Sequence, residues 1–176
     1  AALLAAYDFS GIRQLVDVGG GRGLLLQTVL TAHPHLRGTV FDQPQVVAGA
    51  AVPAELAERL ALQGGDFFAE APAGADAYLL KHILHDWGDE ACCTILGRIR
   101  DAMEPGARVL VVEQVIPSGN DPFPGKLLDL NMLVMTEGGR ERTAQEYTQL
   151  LERAGLRLER IVPTPSPVSV VEAVAL

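Results

Sequence analysis

Hydrophobic residues follow two alternating periods along the chain. Short apolar runs, typical of buried strands, lie at residues 15–18, 38–42, 59–63, 75–81 and 107–113. Stretches with the spacing of a helix lie at residues 24–33, 43–50, 88–103, 126–135 and 143–154. Two more apolar runs, 158–163 and 168–174, follow each other directly and predict a hairpin. The alternation predicts an α/β fold: a doubly wound, seven-stranded, mostly parallel sheet with a final antiparallel strand and helices on both faces.

Composition limits the classes of partner. The 176 residues are 48% hydrophobic and 20% charged, as expected for a single globular domain. The net charge is −8 and no Lys/Arg run is present, so no nucleic-acid partner is expected. Cys92 and Cys93 are adjacent, which disfavours a disulfide between them, and no metal-ligand spacing occurs, so we expect a cytoplasmic protein without a metal. No apolar run reaches the ~18 residues of a membrane span, so no membrane partner is expected.

A glycine-rich turn follows the first apolar run. Residues 15–18 lead into Gly19-Gly20-Gly21-Arg22-Gly23, and a helical pattern begins at Leu24. A dinucleotide-binding turn needs G-x-G-x-x-G, but Leu24 stands at the sixth position. The pattern is instead Asp17-x-Gly19-x-Gly21-x-Gly23, which resembles the turn of S-adenosylmethionine (SAM)-dependent methyltransferases. A purely structural glycine turn is the alternative.

Polar residues also follow the next predicted strands, and ligands of open α/β sheets bind at those carboxyl ends. Asp42, with Gln43 beside it, ends the second strand, and its carboxylate can accept both hydroxyls of a ribose. Asp66 and Phe67 follow the third strand and suit an adenine. Lys81 ends the fourth. Together these residues predict a nucleoside site, although Asp42 alone fits NAD as well as SAM.

The downstream motifs separate the two cofactors. Leu80-Lys81-x-x-Leu84-His85-Asp86-Trp87-x-Asp89, then Glu113, then Gly138-Gly139-x-Glu141-Arg142-Thr143 resemble the small-molecule O-methyltransferases of plant phenolic and bacterial polyketide pathways. The resemblance covers nearly the whole chain. It implies a Rossmann-like class I SAM-dependent methyltransferase domain spanning residues 1–176, a hydroxylated small-molecule acceptor, and S-adenosyl-L-homocysteine (SAH) as product.

The resemblance also implies roles for individual residues. His85 would be the general base, with Glu113 and Glu141 flanking it and orienting the imidazole. Asp129 matches a recurrent acid to which no role is assigned. The cofactor would be held by Asp17, Gly19, Gly21, Asp42, Gln43, Asp66, Phe67 and Lys81. The acceptor side would include Asp86, Met132 and Thr136.

The chemistry agrees with this assignment. Methyl transfer from a sulfonium is an in-line displacement that gains most from positioning. A phenol has a pKa near ~10, so a histidine base helps. Two alternatives stay open: a SAM-binding module without methyl transfer, and an NAD-linked oxidoreductase. His82, three residues before His85, is expected to be structural.

The first residues suggest that the chain is part of something longer. Residues 1–6 are apolar, begin without Met, and are typical of the end of a helix from an upstream domain. The family resemblance implies an N-terminal dimerisation domain before this point, and full-length relatives would be homodimers. We therefore expect the chain by itself to be mainly monomeric.

Overall fold

The computed structural model describes residues 2–176, so Ala1 of the expected N-terminal helix end lies outside the described residues. The helices are α1 Ala2–Ala6, α2 Leu24–Ala32, α3 Pro44–Val47, α4 Asp89–Ala102, α5 Pro124–Met135 and α6 Ala144–Arg153. The strands are β1 Gln14–Val18, β2 Arg37–Asp42, β3 Leu60–Gly64, β4 Ala77–Lys81, β5 Arg108–Ile116, β6 Arg142–Thr143, β7 Leu156–Pro163 and β8 Val168–Ala175. Two short 3₁₀ turns span Ala54–Leu56 and Leu84–Asp86.

The sheet has the predicted doubly wound architecture. Its main path runs β3-β2-β1-β4-β5-β8-β7, with parallel pairs from β3 to β5. β8 is antiparallel to both β5 and β7, which confirms the final antiparallel strand and the hairpin. The strand order reverses between β1 and β4, so the crevice at their carboxyl ends is where ligands of such sheets bind.

Two hydrophobic cores lie on the two faces of the sheet. Along β5, Val109 and Val111 belong to one core, and Leu110 and Val112 belong to the other. This alternation follows from the two-residue period of a strand that is buried on both faces. Buried residues of α4 and α6 complete the first core, whereas those of α2 complete the second. The predicted helices on both faces are therefore confirmed.

The structure differs from the sequence pattern in two places. The helix expected over residues 43–50 is only the four-residue α3, because the amides of Gly49 and Ala50 bond carbonyls three residues back, at Val46 and Val47, and not four residues back as in an α-helix. The two-residue β6, which pairs with the end of β5, was not predicted. No helix in the described part of the chain has the length and apolarity to span a bilayer.

Candidate functional site

The glycine turn between β1 and α2 is a tight, left-handed segment. Gly19, Gly21 and Gly23 have φ values of 69°, 60° and 79°, a region that residues with a Cβ adopt only with strain. A Cβ on Gly19 would lie 2.4 Å from Cδ1 of Ile83, and one on Gly23 would lie 2.7 Å from Cγ2 of Val40. The positions of Gly19 and Gly23 therefore require glycine for both conformation and space, whereas at Gly21 only the conformation favours glycine and the space beside it is open.

Asp42 ties the end of β2 to the glycine turn. Its Oδ2 accepts a hydrogen bond from the amide of Gly21 at 2.7 Å, and its Oδ1 accepts one from the amide of Gln43 at 2.7 Å. The carboxylate is half-buried. An ionised carboxylate has about four lone-pair positions, so acceptor capacity remains for a ribose. The side chain of Gln43 is exposed and bonds Gln45.

Asp17 lies directly beneath the turn. Its side chain is buried, and Oδ2 has no hydrogen-bond partner among the described residues. Burial raises the pKa of Asp17 to about 7; the charge of Asp42 adds to the increase, whereas that of Lys81 opposes it. A buried carboxyl oxygen without a partner is costly, and a cationic or hydrogen-bonding ligand above the turn would relieve that cost.

The remaining expected cofactor residues surround the same edge. The ring of Phe67 is half-buried and reaches the turn, with Cε1 3.8 Å from the position of a Cβ on Gly19. Phe67 also meets Trp87 edge-on, with ring centroids 6.3 Å apart. Asp66 is exposed, and its Oδ1 accepts a hydrogen bond from the amide of Phe68. Lys81 is exposed at the end of β4.

His85 lies in the 3₁₀ turn that follows β4. The residue is buried, and its Nδ1 is 2.8 Å from Oε1 of Glu141. Its Nε2 is 3.5 Å from Oδ1 of the exposed Asp86. Burial lowers the pKa of His85, but the hydrogen bond to Glu141 and the charges of Glu113, Glu141 and Asp86 outweigh this effect and raise the pKa above its ordinary value.

Glu113 takes a different position from the one expected. Its Oε1 accepts hydrogen bonds from the backbone amides of residues 83–85 at 2.7 to 3.2 Å, and its Oε2 accepts one from the hydroxyl of Tyr147 at 2.7 Å. Glu113 therefore holds the backbone of the His85 turn, and only Glu141 bonds the imidazole. The expectation that both carboxylates orient the ring is corrected for Glu113, because the free amides at the start of the turn attract its carboxylate.

Elements after β5 hold Glu141 in place. Oδ1 of Asp129, on α5, accepts a hydrogen bond from the amide of Glu141 at 2.8 Å, which gives Asp129 a structural role. The Thr136 hydroxyl donates to the carbonyl of Met132 and accepts from the amide of Gly139, so it is engaged by protein groups. Met132 is half-buried. Contacts of Asp86, Met132 and Thr136 with an acceptor stay predictions.

Sequence reasoning missed two buried residues at this site, Tyr147 and Arg142. Tyr147 donates to Glu113, and the guanidinium of Arg142 bonds the carbonyls of Leu84 and Trp87. Arg142 lies within the motif at residues 138–143, but the family resemblance implies no role for it.

His85, Glu113 and Glu141 also form a compact cluster of groups that bind metals elsewhere, with one ligand atom of each within 4.8 Å of the others. Several of these atoms are hydrogen-bonded within the protein. Both oxygens of Glu113 accept hydrogen bonds, and Nδ1 of His85 bonds Glu141. The three groups are therefore linked to the protein by hydrogen bonds, and Oε2 of Glu141 is the buried carboxylate oxygen that has no partner among the described residues.

Comparison with known proteins identifies the class that this fold and site define. The chain belongs to the O-methyltransferase domain family, whose profile matches residues 1–157. It is 45% identical to the phenazine O-methyltransferase PhzM of Lysobacter antibioticus over 98% of the chain and 51% of that protein. It is 46% identical to the mitomycin biosynthesis 6-O-methyltransferase of Streptomyces lavendulae over 96% of the chain and 49% of that protein. The family expected from the motifs is confirmed.

Solved structures support the same assignment. The SAH-bound crystal structure of CalO1, a methyltransferase of calicheamicin biosynthesis, superposes with a TM-score of 0.93 at 43% identity, over 99% of this chain and 52% of that one. Human N-acetylserotonin methyltransferase in complex with SAM gives a TM-score of 0.86 at 36% identity, over 97% and 50%. The expected methyltransferase fold is confirmed, and the chain spans about half the length of the relatives it matches.

Proposed function

We propose that this chain binds SAM at the carboxyl edge of the sheet and transfers its methyl group to a hydroxyl of a small aromatic or polyketide-type metabolite. The observation that carries the proposal is a buried histidine, His85, bonded through Nδ1 to the buried carboxylate of Glu141 at the edge that also bears the glycine turn. Family membership and relatives named for antibiotic biosynthesis support it.

The residues at the turn fit the cofactor. The unpartnered Oδ2 of Asp17 suits the amino acid end of SAM, and the open space beside Gly21, where a Cβ would meet no atom within 4 Å, suits close approach of the ligand. Asp42 has acceptor capacity for the ribose, and Asp66 and Phe67 are the residues we expect to contact the adenine. Gly21, Gln43 and Lys81 complete the proposed set. When bound, SAM supplies an electrophilic methyl group.

The protein's own contribution is to position the acceptor and to take its proton. His85 uses Nδ1 to donate to Glu141, so Nε2 is the nitrogen that accepts the proton of the acceptor hydroxyl. The buried carboxylate then stabilises the imidazolium that forms. Such a base typically contributes ~10²–10⁴-fold, and alignment of the acceptor contributes the larger share.

Neither alternative is favoured. An NAD-linked oxidoreductase requires glycine where the exposed Leu24 stands, and the family membership argues against it. A SAM-binding module without transfer would have no need for a histidine whose ring and backbone are both fixed by buried carboxylates. We nevertheless keep cofactor binding and turnover as separate measurements.

The upstream dimerisation domain is also part of the proposal. The supporting feature is an apolar face of α5 that is open in this chain, where Leu127, Leu133, Val134 and Met135 are each more than two thirds exposed, at 71%, 73%, 81% and 78%. Exposed apolar surface of this kind is typical of a contact with another domain or chain. We expect that face to be covered when upstream sequence is present.

The test begins with calorimetric titration of SAM, SAH and NAD into the chain, followed by a search for methylated products with a deuterated methyl donor and a panel of phenols. The same measurements are made on a version extended by any upstream sequence in the gene. We expect SAM and SAH to bind both versions, and turnover to be faster in the extended one, because an enclosed acceptor pocket improves alignment. Binding of NAD in place of SAM would overturn the proposal.

A further inference from the structure

Two fully buried charged side chains hydrogen-bond the backbone of the turn that carries His85, one on each side of it. On one side, the carboxylate of Glu113 accepts hydrogen bonds from the backbone amides of residues 83–85. On the other side, the guanidinium of Arg142 donates from Nη1 to the carbonyl of Leu84 at 3.1 Å and from Nη2 to that of Trp87 at 3.0 Å. These carbonyls lie one residue before and two residues after His85, so the backbone on both sides of the base is fixed.

The hydrogen-bond geometry at Arg142 requires a guanidinium. Its Nε and Nη2 bond Oδ1 of Asp89 at 3.1 and 2.7 Å, and Nη1 also bonds the carbonyl of Arg140 at 3.2 Å. All five N–H groups therefore reach an oxygen, a pattern that the planar fork of arginine provides and the single ammonium of lysine cannot. Burying a charge is expensive, so a fully buried arginine with this arrangement indicates a demanding positional role.

The position of Arg142 in the chain links backbone and ring. It follows Glu141 directly, and Glu141 bonds the imidazole of His85. Arg142 also pairs with Val115 of β5 in the short strand β6, two residues beyond Glu113. The ring, the carbonyl side and the amide side of the His85 turn are therefore all anchored to β5, to β6 or to Glu141, the residue that directly precedes β6. A shift of Arg142 would move the turn relative to Glu141 and change the direction of Nε2.

We propose that Arg142 is a positioning residue of the methyl transfer. Its hydrogen bonds to the carbonyls of Leu84 and Trp87 keep Nε2 of His85 directed at the acceptor hydroxyl and keep Nδ1 within hydrogen-bond distance of Glu141. This inference rests on the proposed function. The competing explanation is that Arg142 only stabilises the fold through its ion pair with the half-exposed Asp89 at the start of α4.

Arg59 offers a matched control. Its Nη1 also bonds three backbone carbonyls, those of Leu30, His33 and Leu36, at 3.1, 3.4 and 2.9 Å. It lies just before β3, at the opposite, amino-terminal edge of the sheet. Arg142→Lys and Arg59→Lys both keep the positive charge and both perturb an arginine that hydrogen-bonds backbone carbonyls, but only Arg142 lies beside His85, so Arg59→Lys controls for the general effect of such a replacement.

The experiment compares these variants in the protein with any sequence that flanks this chain in its gene. We expect Tm to fall in both, and SAH affinity to stay within about threefold of the wild type. Only Arg142→Lys should lose kcat, by at least tenfold with a smaller change in KM, because a ~1 Å misplacement can cost ~10²-fold. It should also move the pKa of His85, followed by NMR, towards the ordinary value as the Glu141 bond loosens, whereas Arg59→Lys should leave that pKa unchanged.

Wild-type kcat and an unmoved pKa of His85 in a folded Arg142→Lys would overturn the proposal. If that variant does not fold, Arg142→Gln decides by the same two readouts, because it removes the guanidinium and keeps a polar side chain. A tenfold loss of kcat with a shifted pKa of His85 supports positioning, and wild-type values of both refute it. Absence of methyl transfer in the wild type would refute the proposed function. The pKa of His85 in Arg142→Lys would still test whether the hydrogen bonds of Arg142 hold the His85 turn in place beside Glu141.

Discussion

Replacing Glu141 by glutamine tests the electrostatics of the base. The carboxylate is fully buried and bonds Nδ1 of His85 at 2.8 Å, so it stabilises the imidazolium without screening by solvent. A hydrogen bond to a charged group contributes ~1.5–3 kcal/mol, which corresponds to a shift of about one to two pKa units. Glu141→Gln keeps the size of the side chain and removes the charge. Burial, which lowers the pKa of His85, is then opposed only by Glu113 and Asp86.

The pKa of His85 should therefore fall in Glu141→Gln, by about one unit or more. Because the base must be neutral to accept a proton, turnover rises with pH through this pKa, and the acid limb of the kcat profile should move to lower pH. The titration is followed by ¹⁵N–¹H correlation spectra of the imidazole rings. His82, stacked on His85 with ring centroids 5.2 Å apart, provides an internal contrast, since burial lowers its pKa to about 4.

The control is Glu137→Gln, which removes a carboxylate from the exposed part of the same loop. It should leave the pKa of His85 and the pH profile unchanged. A pKa of His85 that stays constant or rises in Glu141→Gln would show that the buried carboxylate does not stabilise the imidazolium, and the argument for a tuned base would be wrong.

Two further predictions concern the cofactor end of the site. Asp42→Ala should weaken SAM binding at least tenfold, as measured by calorimetry; Asp76→Ala, which also removes a carboxylate that holds two backbone amides but lies at the opposite edge of the sheet, should not. Asp17→Asn should weaken SAM binding and stabilise the chain. Because Asp17 keeps its proton up to about pH 7 in the folded state but loses it near pH 3.8 in the unfolded state, the free energy of unfolding of the wild type should fall across that pH range, by up to about 4 kcal/mol. Asparagine does not titrate, so thermal unfolding should show that the stability of the variant increases relative to the wild type as pH rises from 3.8 to about 7. A constant difference between Asp17→Asn and the wild type would contradict the raised pKa.

The edge of the sheet that bears the site was predictable because topology determines it. Parallel strands bring their carboxyl ends together, so Asp42, Asp66 and Lys81 could be assigned to one crevice from the chain order alone. The glycine turn was equally clear, since left-handed backbone and close packing at Gly19 leave few other residues possible. These features depend on the local sequence and on the general rule that the carboxyl ends of parallel strands form the ligand-binding edge of an open α/β sheet.

The contacts around His85 could not be derived in this way. The two-residue period of β5 tells which face Glu113 occupies, but not whether its carboxylate meets an imidazole or the free amides of a turn. That choice depends on where the chain from β4 crosses the sheet, which is a tertiary property. The burial of Arg142 likewise depends on a pairing between β5 and β6 that is too short to leave a periodic pattern.

The most direct test of the central claim is the rate of a single turnover in wild type and His85→Asn, with SAM bound beforehand and a phenol that the wild type methylates. Asparagine keeps polarity but cannot act as a base near neutral pH. We expect unchanged SAM affinity and a rate at least ~10²-fold lower in His85→Asn, with the loss greatest above the pKa of His85. A loss smaller than fivefold, uniform with pH, would contradict base catalysis and leave positioning alone as the source of the rate.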